Sequence, residues 1–459
     1  MQDRLVSARY ILLLLFIIAL FSSCGSTKYL GAGELLFNGN IINVKSSGGG
    51  LKKIRDNIDQ SLTLESKLAT LAKQQPNKKA LSIIPFKLWI YNRFYTENDS
   101  GFKHWMITKV GEPPVIFDST LLRTSSALIS NYLQTKGYLF PEVTYSYKVK
   151  RKRATAKYFV VTGPLYTIDS VFFPTDSSLL AWIVRGSMDK TLLKKGNAFD
   201  ADMLGKEQAR VQRNFQNTGY IYFRKEFIHF YADTTIGDHS VDVYVKVDQA
   251  DSLPEQQIYT IKNIYVYSNF NPQNESKEIK YDTIYYDGIY FLSTKNFLDP
   301  DVLATAVFLS KDQRYSRGNY ECTLHRISDL GVYKFANVRF VKADTNGVHN
   351  FLNCNMYLQP SKKHTIGGSV DVGNVESNFA SGIKLSFGSK NVNNRANRID
   401  VSATAGVQIP VFNADSLFYS FNLQLNYSIP KFAFPFIHPH ISCYNNPVTK
   451  ISLSTSFCN

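Results

Sequence analysis

Asp118 precedes Gly137 by 19 residues, and Asp200 precedes Gly219 by the same 19. FDSTLL (117–122) and FDADML (199–204) open the two stretches; NYLQTKGYLF (131–140) and NFQNTGYIYF (214–223) close them. An Asp before a helix can accept from the free N–H groups of the first turn, and a glycine tolerates the left-handed conformation that closes one. Leu121, Leu122, Ile129 and Leu133 correspond to Met203, Leu204, Val211 and Phe215, all shifted by 82 and close to one helix face. Spacing and face agree independently, which predicts a duplicated module with a long helix. Tyr138 and Tyr220, directly after the glycines, read as packing residues rather than as chemistry. A third start, LDPDVL (298–303), has Asp299 followed by Pro300, which suits a first helical position. It reaches its glycine, Gly331, only after 32 residues, so this copy is predicted to carry an insertion or a broken helix.

Each helix is followed by two strand-like runs joined by a short polar link: EVTYSYKV and TAKYFVVT, EFIHFYAD and HSVDVYVKV, KFANVRFVKA and NFLNCNMYL. That is the layout of a hairpin. A further strand opens the later copies, YTIDSVFF (166–173) and YTIKNIYVY (259–267), and LLFNGNIINV (35–44) would open the first. The predicted modules are 34–163, 164–250 and 256–358. In the first, a helix starts near Leu51 and an insertion covers about residues 63–115.

The formal charge of +15 admits nucleic acid, anionic lipid or an acidic partner. The N-terminus decides among them. Arg4 and Arg9 precede the apolar run Ile11–Phe21, which is too short to span a bilayer comfortably, and SSC follows, ending at Cys24. Residues 1–23 read as a signal peptide of the bacterial lipoprotein kind, with Cys24 as the lipid attachment site and 24–33 as a lipidated tether. Gly25-Ser26-Thr27 lacks the Asp associated with inner-membrane retention, which favours the outer membrane. An exported chain does not meet chromosomal DNA, so nucleic acid falls away as a partner.

After Pro360 the period changes. IDVSATAGVQI (399–409) and LFYSFNLQLNYSI (417–429) alternate apolar with small polar residues, as do 366–372, 383–389 and 451–457. One face is apolar and aromatic, the other mostly Ser and Asn. A soluble sheet would carry more Lys and Glu on its wet face; a transmembrane barrel puts apolar residues toward lipid.

A strand-helix-helix-strand-strand repeat with an FD or LD helix start and a Gly-Tyr or Gly-Val helix end resembles the POTRA domain. POTRA repeats feeding a C-terminal barrel resemble the outer-membrane assembly and translocation superfamily, the bacterial surface antigen family. LSFGSKNVNNRANRIDVSATAG resembles its first barrel strands, and CGSTKYL and GEPPVIFD (111–118) resemble its translocation and assembly module lipoprotein (TamL) branch. The fold class implied is α+β POTRA repeats (β-α-α-β-β) followed by an antiparallel transmembrane β-barrel, of which 362–459 supplies only the first strands. Bacterial barrels need at least about eight strands. Five or six fit here, so the chain reads as a fragment or a disrupted frame. The resemblance implies a non-enzymatic factor that inserts or translocates outer-membrane proteins. Its partners would be outer-membrane lipid, unfolded outer-membrane clients and a periplasm-spanning inner-membrane protein. A lipid-anchored periplasmic scaffold and a barrel with a surface passenger activity remain the alternatives.

No GxxxxGK[ST] or HExxH is present, and no catalytic residue, metal or cofactor is assigned. SSGGGLKK (46–53) lacks phosphate-loop spacing. Cys322 and His325 form a lone CxxH, His438 and His440 lie near Cys443, and the sequence does not pair the cysteines. KVKRKRATAK (148–157) is the densest charge, either a solvated hairpin tip or a contact for anionic lipid or an acidic partner.

Overall fold

A computed structural model of the protein describes residues 27–45, 64–80, 85–96, 100–248, 257–274, 280–343, 350–375, 378–410, 417–433, 442, 443, 445 and 447–458. The signal region, Cys24, Leu51, the glycine run at 46–53, His438 and His440 lie outside the described residues. The chain divides into two compact units. The first holds 1–174, 189–207 and 230–246; the second holds 175–188, 208–229 and 247–459.

The first module lies wholly in the first unit. Its strand β1 (Leu36–Lys45) leads to a helix at 64–71, α1, then to the short helices α2 (Phe86–Phe94) and α3 (Phe102–Trp105) and the long α4 (Thr120–Thr135). The hairpin β2 (Glu142–Lys150) and β3 (Arg153–Val161) closes it. The sheet order is β1-β3-β2, with β1 parallel to β3 and β2 antiparallel to it. A parallel return needs a crossover, and the helices supply it. Leu122, Ile129 and Leu133 of α4 pack with Tyr158 and Val160 of β3. Leu68 and Ala72 join the same core. Helix α1 is therefore part of the module, and the added segment begins after it rather than at residue 63.

The same order recurs: β4 (Thr167–Phe172), α5 (Leu179–Arg185), α6 (Ala201–Asn217), β5 (Ile228–Asp233) and β6 (Ser240–Val247). The sheet order is β4-β6-β5, with β4 parallel to β6. In the first unit Met203 and Leu204 pack against a core of Ile168, Leu193, Val241 and Val243. In the second unit Val211, Phe215, Tyr220 and Phe223 are buried, and the rings of Phe215 and Phe223 stack at 4.1 Å.

The third module adds a hairpin the sequence did not disclose. After β7 (Thr260–Tyr267) come β8 (Asp282–Tyr286) and β9 (Ile289–Ser293), then α7 (Pro300–Ala304), α8 (Arg317–Asp329), β10 (Tyr333–Lys342) and β11 (Phe351–Pro360). The order β10-β11-β7-β9-β8 keeps the parallel β7–β11 pair and covers the other edge of β7 with β9. The 32-residue span from Asp299 to Gly331 is neither an insertion in the long helix nor one helix broken in two: it holds the module's first helix, α7, and then its long helix, α8. Asp299 opens the short α7, whereas Ser316 caps the long α8 through Oγ, which accepts from Asn319 N at 3.4 Å.

Five antiparallel strands follow in sequence order: β12 (His364–Val375), β13 (Asn378–Val392), β14 (Asn397–Pro410), β15 (Phe418–Ile429) and β16 (Thr449–Cys458). Register aligns the apolar residues into rows across all five strands. One runs Ile366, Phe387, Val401, Leu425, Leu453; another runs Val370, Ile383, Ala405, Phe421, Phe457. Ile366 is 87% exposed, Leu385 63% and Leu453 70%. The opposite face carries Ser369, Lys384, Thr404, Asn422 and Ser456 in one row. An apolar face this broad and bare far exceeds the patches soluble proteins expose. From Tyr427 to Tyr419 the apolar face spans about 27 Å of strand, with a tyrosine at each end. The fold is thus POTRA-type α+β modules followed by antiparallel β-barrel strands, and the five described strands do not close.

Candidate functional site

The chemistry-bearing residues lie at joints. In the first unit Gly137 ends α4 with φ +92°, and its carbonyl accepts from Tyr166 N, which opens the next module, at 2.9 Å. Tyr166 O in turn accepts from Phe199 N at 2.9 Å, just before α6. A side chain at 137 would meet Phe199 O at 3.0 Å and Leu165 Cδ1 at 3.2 Å. Lys136 Nζ lies 3.0 Å from Asp200 and 2.5 Å from Asp202. The hydrogen bond to Asp202, with both carboxylates nearby, raises the Lys136 pKa, and Lys136 lowers that of Asp202.

The second unit repeats the arrangement. Gly219 (φ +112°) accepts from Tyr259 N at 2.9 Å, and Tyr259 O accepts from Tyr315 N at 3.0 Å. A Cβ at 219 would meet Ile258 Cγ2 at 2.7 Å. Arg317 donates to Gln216 Oε1 at 2.7 Å, Gly318 N to Asn217 Oδ1 at 2.8 Å, and Arg213 pairs with Glu321.

The predicted aspartates divide. Asp118 Oδ1 accepts from Thr120 N at 2.8 Å, and Asp200 Oδ1 accepts from Asp202 N at 2.7 Å. The Thr120 hydroxyl and N–H hold the Asp118 carboxyl below its ordinary range. Asp299 makes no side-chain cap, contrary to the expectation that it would accept from the first turn. Its carboxylate faces Arg395 at 3.3 Å, and its backbone N donates to Asn394 O at 2.9 Å. Tyr220 is buried, and Tyr138 packs partly buried against the first core. Gly331 is left-handed at φ +66°, but the nearest atom to a Cβ there is Asp329 O at 4.0 Å.

Arg395 belongs to the β13–β14 turn, which seats in the third module. Asn391 donates through Nδ2 to Phe297 O, and its Oδ1 accepts from Ala396 N at 3.0 Å. Ala396 is 5% exposed and sits in the third module's core with Leu298, Leu303 and Val332. Arg395 Nη2 reaches Asp301 at 2.7 Å, and that contact, ahead of Asp299, raises its pKa. Asn391, Asn393, Asn394 and Ala396 all have positive φ. Asn tolerates that conformation better than most residues, so the Asn-rich composition shapes a plug. Beside it a cavity of about 130 Å³ is lined by Leu330, Gly331, Ala396, Arg398 and Pro430.

A disulfide joins Cys322 of α8 to Cys443, between β15 and β16. Cys322 is therefore no half of a CxxH pair; His325 instead contacts Asp329 at 2.9 Å. Burial pushes the Cys354 thiol up, while Cys458 is exposed. Among the described residues no group of three or more His, Cys, Asp or Glu could hold a metal, and no helix is long and apolar enough to cross a membrane.

Sequence reasoning missed one recurring device. Each long helix buries a polar side chain that accepts an N–H from the exit of the module's first helix. Ser125 Oγ accepts from Lys73 N at 3.0 Å, Glu207 from Leu192 N at 3.0 Å, and Thr323 Oγ1 from Phe308 N at 2.9 Å. Ser125 and Glu207 differ by 82 in number, so the repeat offset was the available signal; their unlike chemistry hid it.

No family model matches the chain, and no curated protein matches it. Among solved structures it is similar to POTRA domains 3–5 of BamA from Haemophilus influenzae, at 10% identity over 72% of this chain and 99% of that one, TM-score 0.32. It is also similar to BamA from Haemophilus ducreyi lacking POTRA domains 1–3, at 11% identity over 64% of this chain and 59% of that one, TM-score 0.33. CdiB from Acinetobacter baumannii is 10% identical over 64% of this chain and 55% of that one, TM-score 0.29. These scores carry no argument of their own, and the fold stands on the strand order and register above.

Proposed function

We propose that this chain is an outer-membrane assembly factor of the Omp85 type, with POTRA modules in the periplasm at about 34–163, 164–250 and 256–358. The observation that carries the reading is the seating of the Asn391–Ala396 turn in the third module's core. A module that grips the end of an apolar-faced sheet transmits its position to strands built for lipid. Cys24 would carry the lipid, in the manner of the TamL branch. The repeat residues Asp118, Gly137, Tyr138, Asp200, Gly219, Tyr220, Asp299 and Gly331 set module geometry rather than chemistry.

Exposed edges such as β2 and β8 would take up unfolded client strands or a periplasm-spanning inner-membrane partner by strand addition. No covalent step is required, and client folding supplies the free energy. Depleting the chain in its native host tests this. Outer-membrane barrel proteins, quantified in purified membranes, should fall and recover with the wild-type gene. Unchanged levels of every barrel protein would contradict the reading.

A further inference from the structure

The Lys- and Arg-rich hairpin of the first module walls a groove rather than projecting as a bare tip. The groove, about 690 Å³, is lined by Lys148, Lys150, Arg151, Arg153 and Lys157, with Asn38, Ile41, Thr155 and Thr27 completing it. Asn38 Nδ2 donates to Thr155 Oγ1 at 3.2 Å, which fixes β1 against the floor of the groove. Among the described residues no acidic one lines it. Lys148, Lys150, Arg151 and Lys157 form no ion pair among the described residues.

Two features run against stability. Lys150 lies directly opposite Arg153 in the β2–β3 register, and like charges placed so repel. Arg151 and Lys152 both hold positive φ, +49° and +58°, in a two-residue turn that favours Asn and Gly. The corresponding pair in the second module's hairpin is Asp238 and His239. Convergent cations, of which Lys148, Lys150, Arg151 and Lys157 have no ion pair among the described residues, suit a polyanion whose oxygens accept several charge-assisted hydrogen bonds.

We propose that this groove binds the phosphate headgroups of anionic lipid at the membrane surface. Its size exceeds that of one free phosphate ion. Thr27 lies three residues from Cys24, about 10 Å of extended chain. The choice of lipid as the source rests on the anchor proposed at Cys24; the groove's charge does not.

Amine acetylation of the full chain in neutral detergent, read lysine by lysine by mass spectrometry, tests the proposal. With dioleoylphosphatidylglycerol added, labelling of Lys148, Lys150 and Lys157 should fall about fivefold while Lys225 and Lys342 stay unchanged. Dioleoylphosphatidylcholine should protect none of them. In a Lys148→Gln, Lys157→Gln chain, Lys150 should label equally with and without the anionic lipid. Uniform protection of all lysines, or no protection, overturns the proposal. Equal protection by inorganic phosphate also overturns it, because the site would then hold a free anion. The same fall in a Cys24→Ala chain shows that the groove holds the headgroup. A fall that vanishes with Cys24 means that the anchor alone brings lipid there, which overturns the groove and leaves the anchor standing.

Discussion

The N–H of Tyr259, at the head of the third module, donates to the carbonyl of Gly219 at 2.9 Å, and Gly219 has no room for a side chain. Tyr166 and Gly137 stand in the same relation. The Gly-Tyr phrase therefore does more than end a helix: its glycine is the surface on which the following module starts.

Gly137→Ala and Gly219→Ala should each cost about 1–3 kcal/mol through strained φ and close contact. They should also speed hydrogen exchange at the Tyr166 and Tyr259 amides, respectively. Gly331→Ala meets only Asp329 O, at an ordinary contact distance of 4.0 Å, and should cost only about 1–2 kcal/mol from its left-handed φ. Equal effects at all three glycines would remove the distinction between a joint and a helix end.

Charge holds the first joint within a pH window. Asp202 has a lowered pKa, so its contribution is present above the ordinary carboxylate range and is lost as pH falls through that lowered value. The raised pKa of Lys136 makes its contribution complete below 10.5 and lost as pH rises beyond it. The difference in melting temperature between wild type and Lys136→Met should be widest near neutrality and should close at strongly acidic pH. A difference that persists there would show that packing, not charge, carries the contact.

Asn391→Ala removes two hydrogen bonds at a buried, left-handed position and should destabilise the turn by about 2–4 kcal/mol. Asn391→Gly restores the backbone freedom alone and should recover part of that loss. Arg395→Ala, at a half-exposed ion pair, should cost about 1 kcal/mol or less. Denaturant unfolding in neutral detergent ranks the three, and the reverse order would mean that charge rather than the plug seats the turn.

The Cys322–Cys443 bond spans 121 residues of chain, a loop whose closure restricts the unfolded state by an amount worth up to about 4–5 kcal/mol. Non-reducing electrophoresis of the denatured protein should show a faster band that dithiothreitol removes and Cys443→Ser abolishes. Identical mobility with and without reductant would mean that the bond does not form.

Local pattern carried most of the fold. The 19-residue spacing located α4 and α6, and period-two alternation located β12–β16. What the sequence hid depends on contacts distant in the chain. Asp299 looks like a helix cap, yet it serves Arg395, 96 residues away. The β8–β9 hairpin was not foreseen; its YDTIYYDGIYF run is only two short strands around Asp287-Gly288, a short-range hairpin signal. Cys322 and Cys443 could not be paired because many connectivities fit scattered cysteines. The joint bonds from Tyr166 and Tyr259 lay in plain view as a repeated YTI, but only the docked strands reveal what their N–H groups meet.

The central claim is that the apolar face of β12–β16 lies against lipid. Fluorophores attached to single cysteines placed at Leu385, Ser386, Leu423 and Gln424, in a Cys458→Ser chain reconstituted with brominated lipid, measure it directly. Quenching should alternate, strong at Leu385 and Leu423 and weak at Ser386 and Gln424. Equal quenching along each strand, or none at Leu385 and Leu423, would contradict it.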